Sequence, residues 1–304
     1  MIVELPNSTT AEISRRIDQL HKERGESAQS RVLTLLISTD EDHLEDVVET
    51  ANTASREHPC RVIALVAHPE ISESRLDAQV RFGADAGAGE VIVLRPTNGL
   101  TRHLDTLVIP LLVPDSPIVA WWPGKAPENL AEDPIGRMAT SRVTDAMESP
   151  NPEALFTALR ANWSPRDTDM SWTSLTVWRG VLASMLDQPP YLPVESVVVR
   201  GGNRLCVDLV ASWLAVALKA PTRIERTEQD TLIGVYFHRE DGVTSLERGE
   251  DTTAIISQPG QAEQRISLPR RSMVECLSEE LRRLDPDEEY AEVITHGWKM
   301  VDHY

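Results

Sequence analysis

Positive charge is scarce in this chain. Its 304 residues carry 30 Lys and Arg against 48 Asp and Glu, a formal net charge of −18, so most of its surface repels phosphate backbones and anionic lipid. The arginine-bearing stretches Pro269-Arg270-Arg271 and Arg282-Arg283 are short and stand beside acids, and they read as solvated faces. Neither nucleic acid nor a membrane surface is an expected partner. Cysteine is scarcer still. Cys60, Cys206 and Cys276 are odd in number, far apart and without CxxC spacing, which excludes a disulfide framework and a cysteine zinc site and fits a reducing compartment. Long apolar runs are missing as well: residues 107–113 are interrupted by Pro110, and the N-terminal MIVELP has no basic region leading into an apolar one. A cytoplasmic location is the expectation.

Catalytic signatures are also lacking. There is no GxxxxGKS/T phosphate loop, no GxSxG elbow and no HExxH helix, and the eight histidines keep no metal-ligand spacing. The glycine-rich stretch 83–89 precedes an expected strand, whereas a dinucleotide fingerprint follows a strand and opens a helix, so it reads as a turn. His68, at a strand end beside Pro69, is either a general base or an inert loop histidine. The acid pairs Asp167/Asp169 and Asp285/Asp287 stand at expected helix boundaries and are read as capping backbone N–H groups rather than as acid/base pairs. No metal and no cofactor is expected. One ligand possibility stays open: Gly201-Gly202-Asn203-Arg204 follows a strand and precedes an apolar helix, so it is either a plain βα turn or a phosphate or sugar-phosphate cradle.

What is present is a globular composition, 41% hydrophobic and 26% charged, at a length that favours about two domains. Strand-like runs at 31–38, 61–67, 90–94 and 117–121 alternate with helical patterns at 8–24, 40–57 and 100–113. That alternation predicts an N-terminal α/β domain with a largely parallel sheet. A helix at 151–162 leads into a linker at 163–166, and the boundary is set between residues 163 and 164, giving domains 1–163 and 164–304. Beyond it come a tryptophan-bearing helix at 170–187, a strand at 196–200, an apolar helix at 205–219, and short strands at 222–226, 232–239, 243–247, 253–257 and 265–268 joined by turns such as Asp241-Gly242. The C-terminal domain is therefore expected to be α+β with an antiparallel sheet, closing on an amphipathic helix at 272–284.

Tryptophan outnumbers phenylalanine, seven to three. Four of the seven cluster as Trp121-Trp122 and as Trp172 with Trp178. Adjacent residues of a strand point to opposite faces, so one ring of the first pair is expected near the surface. Such rings are enriched at protein contacts, and a partner surface is a serious alternative to simple packing.

Five strings then carry a resemblance: VIPLLVPDSPIVAWWPG at 108–124, DPIGRMATSR at 133–142, DTDMSWT at 167–173 continuing to Trp178-Arg179, LDQPP at 186–190 and ECLSEELRRLDPD at 275–287. In this order the chain resembles the glucose-6-phosphate dehydrogenase assembly protein (OpcA) family of actinobacteria and cyanobacteria, over residues 2–290. The resemblance implies a non-catalytic protein that binds glucose-6-phosphate dehydrogenase and promotes its active oligomer. It implies a contact in or around Trp121, Trp122, Asp167, Asp169, Trp172, Trp178 and Arg179. The alternative is a sugar-phosphate-binding enzyme or sensor using Gly201, Gly202, Asn203 and Arg204.

Overall fold

Thr9 opens the first helix by a reciprocal cap: its hydroxyl accepts the Glu12 N–H at 3.3 Å while its own N–H donates to Glu12 Oε2 at 2.8 Å. Helix α1 (Thr10–Arg24) then buries Ile13, Ile17 and Leu20 along one stripe. The computed structural model describes residues 1–24, 32–82, 90–250 and 252–303. The glycine-rich stretch 83–89 lies outside them.

Strands β1 (Ile2–Leu5), β2 (Leu33–Thr39), β3 (Cys60–Val66), β4 (Leu76–Phe82), β5 (Glu90–Pro96), β6 (Ile118–Trp122), β7 (Ser141–Thr144) and β8 (Asp167–Asp169) form one eight-stranded sheet in the order β1-β4-β5-β3-β2-β6-β7-β8. Every pair from β5 across to β8 is parallel, and the antiparallel pairs β5–β4 and β4–β1 lie at the other edge, where β4 alone is reversed. From β2 the chain therefore builds outward through β3 to β5, then crosses back to lay β6 on the other side of β2. The strand order reverses between β2 and β6.

Both faces of this sheet are covered, as a parallel sheet requires. On one face Leu35, Ile37, Val62, Val93 and Val119 pack with Leu44, Val47, Val48 and Ala51 of α2 (Leu44–Ala54). On the other Leu36, Ile63, Ile92 and Leu94 pack with Ile13, Ile17 and Leu20 of α1. The helix expected at 100–113 is broken into a 3₁₀ turn at Asn98–Arg102, a short α3 (Leu104–Val108) and a second 3₁₀ turn at Ile109–Leu111. Pro110, which has no N–H to continue the ladder, accounts for the second break, after Val108. Helix α4 (Pro152–Ala161) starts at an Asn-Pro pair, with Asn151 Oδ1 accepting the Ala154 N–H at 3.2 Å. Residues 163–166 then lead straight into β8.

The tryptophan-bearing stretch forms α5 (Met170–Thr173) and α6 (Thr176–Leu186), two helices where one was expected. A second sheet follows, in which β9 (Ser196–Gly201), β10 (Thr222–Arg226), β11 (Leu232–Arg239), β12 (Gly242–Arg248), β13 (Thr253–Ser257) and β14 (Gln264–Ser267) take the order β10-β9-β11-β12-β13-β14. Only β9 and β10 are parallel, connected through α7 (Leu205–Leu218), and the rest form an antiparallel meander. Helices α8 (Met273–Arg282) and α9 (Glu288–Thr295) close the chain. The fold is thus mixed α/β, a largely parallel sheet followed by a mostly antiparallel one.

By its internal contacts the chain divides into two compact units, Met1–Met170 with Met273–Pro286, and Ser171–Ser272 with Asp287–Tyr304. This division differs from a single cut at 163/164. Helix α8 belongs to the first unit, where Cys276, Leu277 and Leu281 join the α2 face of the sheet, while α9 belongs to the second.

Candidate functional site

The adjacent indoles of β6 do point to opposite faces, yet neither reaches solvent. Trp121 is 1% exposed in the cluster shared with α2 and α8, and Trp122 is 2% exposed in the cluster shared with α1. The expectation of one surface ring is corrected here, because β6 is an interior strand of a sheet covered on both sides. Trp172 and Trp178 are buried as well. The Trp172 Nε1–H donates to Asp287 Oδ2 at 3.0 Å, its ring lies 5.7 Å from that of Tyr290, and the Arg179 guanidinium stacks 3.6 Å over it. Arg179 also donates to Glu289 Oε2 at 2.6 Å, and Trp213 Nε1 donates to the other oxygen of Glu289 at 2.7 Å. This cluster ties α6 to α9 and α7 within the second unit. It is an internal brace rather than an exposed aromatic patch.

Asp167 and Asp169 sit on a strand and bond backbone groups from there. Asp167 accepts from the Arg142 guanidinium and from the Ser164 N–H at 2.8 Å. Burial pushes its carboxyl up, further than Arg142 and Ser164 pull it down. Asp169 Oδ2 accepts the Thr144 hydroxyl at 2.7 Å and the Ala146 N–H at 2.9 Å. Both carboxylates pin β8 and the turn after β7.

The Gly201–Arg204 turn follows β9 and opens α7 as the spacing indicated. Its glycines answer to close packing: a Cβ on Gly201 would meet Thr231 O at 2.7 Å, and one on Gly202 would meet Gln229 O at 2.2 Å. The Gly202 N–H donates to Thr231 O at 3.0 Å, and Arg204 leans toward Asp230 at 3.5 Å. Asn203 is exposed. The βα turn is thereby explained by the bend at residues 229–231, before β11, that is pressed against it. His68 has its Nδ1 2.9 Å from Glu70 and its Nε2 3.7 Å from Glu41, beside the β3 end. Among the described residues no group of three or more His, Cys, Asp or Glu is placed to hold a metal ion, and no helix is long and apolar enough to cross a membrane.

Sequence reasoning did not single out the crevice at the carboxyl ends of β2, β3 and β6. It measures about 710 Å³ and is lined by Ser38, Thr39 and Asp40 after β2, by Asp46 and Val47 of α2, and by Trp121 and Lys125 of the β6 segment, with Glu70 and Glu148 among its other walls. It lies where the strand order reverses, the place at which open α/β sheets bind ligands. A dinucleotide bound there needs a glycine-rich turn after the first strand and free N–H groups at the helix start. This chain has Asp40-Glu41-Asp42 instead. Asp40 Oδ1 already accepts the His43 N–H at 3.0 Å and contacts the His43 ring at 2.6 Å. A carboxylate stands where a phosphate would be bound. The readable signal was the acidic βα turn itself; the reversal of strand order was not visible in one dimension.

Residues 51–161 match a family model described as the glucose-6-phosphate dehydrogenase subunit N-terminal domain, and residues 165–294 one described as its C-terminal domain. No curated protein matches the chain. Among solved structures it is similar to glucose-6-phosphate 1-dehydrogenase from Mycobacterium avium, at 10% identity, covering 89% of this chain and 91% of that one with a TM-score of 0.49. It is also similar to UDP-N-acetylglucosamine 3-dehydrogenase GnnA from Acidithiobacillus ferrooxidans, at 9% identity, covering 88% and 96% with a TM-score of 0.36.

Proposed function

Because the chain belongs to the glucose-6-phosphate dehydrogenase assembly (OpcA) family, we propose that it is a non-catalytic partner which binds glucose-6-phosphate dehydrogenase, favours its active oligomer and so raises flux into the oxidative pentose phosphate pathway. The observation that carries this reading is the pair of family models running consecutively over most of the chain. The acidic turn at the sheet's switch point supports it, since Asp40, Glu41 and Asp42 disfavour the pyrophosphate that a dehydrogenase of its own would have to bind. Trp121, Trp122, Asp167, Asp169, Trp172, Trp178 and Arg179 then serve the contact from beneath, by fixing the elements whose outer surfaces meet the enzyme.

Activation requires differential affinity: the chain must bind the active oligomer more tightly than the inactive form. A tenfold preference corresponds to about 1.4 kcal/mol. The test is to mix the purified chain with its cognate dehydrogenase and follow both particle mass and turnover. A heavier particle with a raised rate is expected, and unchanged mass with unchanged rate overturns the reading.

A further inference from the structure

The crevice between the ends of β2 and β6 has a ligand chemistry of its own. Asp40, Asp46, Glu70 and Glu148 line it against Lys125 and His43. Asp40 is engaged by the His43 ring and Glu70 by His68. Neither Asp46 nor Glu148 forms a salt bridge among the described residues, although Asp46 lies near enough to His43 to act on its charge. A second observation is independent of these charges. Trp121 lines the same crevice, and its Nε1–H is buried without a hydrogen-bond partner, an arrangement that is unfavourable if left unanswered. An indole N–H only donates, so it calls for an acceptor. The ligand must therefore bring a hydrogen-bond acceptor and a cation together.

We infer that this crevice receives an arginine- or lysine-bearing segment of a protein partner, a main-chain carbonyl accepting from Trp121 Nε1 and the cationic side chain meeting Asp46 and Glu148. A polyamine offers only donors and leaves the indole unsatisfied. A free amino acid brings a carboxylate into an acidic pocket, and a dinucleotide brings two phosphates. A peptide residue supplies the carbonyl and the cation with no added negative charge. The identity of the partner as the dehydrogenase rests on the proposed function; the chemistry of the crevice does not.

Two measurements separate these claims. In the first, the assigned Trp121 indole resonance of the full chain is followed by ¹⁵N NMR during titration with N-acetylarginine amide and, separately, with NADP. A saturable shift with the arginine probe, lost in Glu148→Lys, is expected. No shift with the arginine probe, or a shift with NADP alone, overturns the inference. In the second, binding of the cognate dehydrogenase is compared for wild type and for Asp46→Lys with Glu148→Lys, both exposed positions at which the fold is not at stake. Weakening by about tenfold or more, with a shallower salt dependence, is expected. Unweakened binding by the double variant overturns the crevice as the contact while leaving the proposed function standing. Absence of any wild-type binding removes the proposed function, and the indole titration still decides the crevice.

Discussion

Single residues show how environment sets reactivity. Burial pushes the Cys206 thiol up to about 11, so at pH 8 about one thiol in a thousand is ionised. Cys60 and Cys276 are buried. Alkylation of the native chain at pH 8 is therefore expected to be slow at all three positions and to become fast in denaturant; rapid native labelling of Cys206 would contradict this. His43 behaves in the opposite sense. The hydrogen bond it donates to the Asp40 carboxylate raises its imidazole above the ordinary value, so, while Asp40 is ionised, the pair's contribution to stability is complete below about pH 6.5 and is lost as pH climbs through the raised folded value. Unfolding midpoints of wild type and Asp40→Asn should differ most on the acid side of that titration and converge above it. The sequence displayed these residues but not their surroundings. His43 and Asp40 stand in a visibly acidic turn, and Cys206 opens a visibly apolar helix, but neither pattern gives the extent to which a side chain is desolvated.

At the level of elements, caps and patterns were legible, whereas the faces they meet were not. Asn151 caps α4 through one N–H. Asp287 caps α9 through the Tyr290 N–H at 2.9 Å and also accepts from Trp172 Nε1. Asn151→Ala should cost about 1 kcal/mol and Asp287→Ala about 2 kcal/mol, read as shifts in the urea midpoint. Equal losses would mean that the Trp172 bond adds nothing. The tryptophans of α5 and α6 are buried by residues far along the chain, Tyr290 of α9 against Trp172 and Arg248 of β12 over Trp178, so the choice between self-packing and an exposed contact was closed to sequence. Strands β1, β4, β7 and β8 were missed for a related reason: they are short or alternate in burial, and their identity comes from pairing with strands already in place.

Across the whole molecule the consequential feature is the return of the chain. Helix α8 supplies Cys276, Leu277 and Leu281 to the face formed by α2 and the parallel sheet. A fragment ending at residue 170 leaves that apolar face uncovered. Its far-ultraviolet circular dichroism should show a broad, early thermal transition with aggregation, relieved by adding residues 273–286 in trans. A sharp transition matching the intact chain would contradict the assignment of α8 to the first unit. The net charge of −18 acts at this scale too, steering the molecule toward basic surfaces and giving any such association a marked salt dependence.

Local chemistry by itself determined a great deal: the alternation of apolar runs that makes a parallel sheet, the turn residues that make the antiparallel one, the caps of α1 and α4, and the five strings that mark the family. These are properties of neighbours in the chain, and spacing reports them directly. Tertiary structure alone decided that Trp121 and Trp122 both lie inside, that Gly201 and Gly202 yield to the backbone of residues 229–231, and that Asp40, Trp121 and Glu148 line one crevice. Each of those outcomes depends on which distant strand is placed alongside, and the free energy of that placement is shared among many weak contacts, with no single motif to signal it.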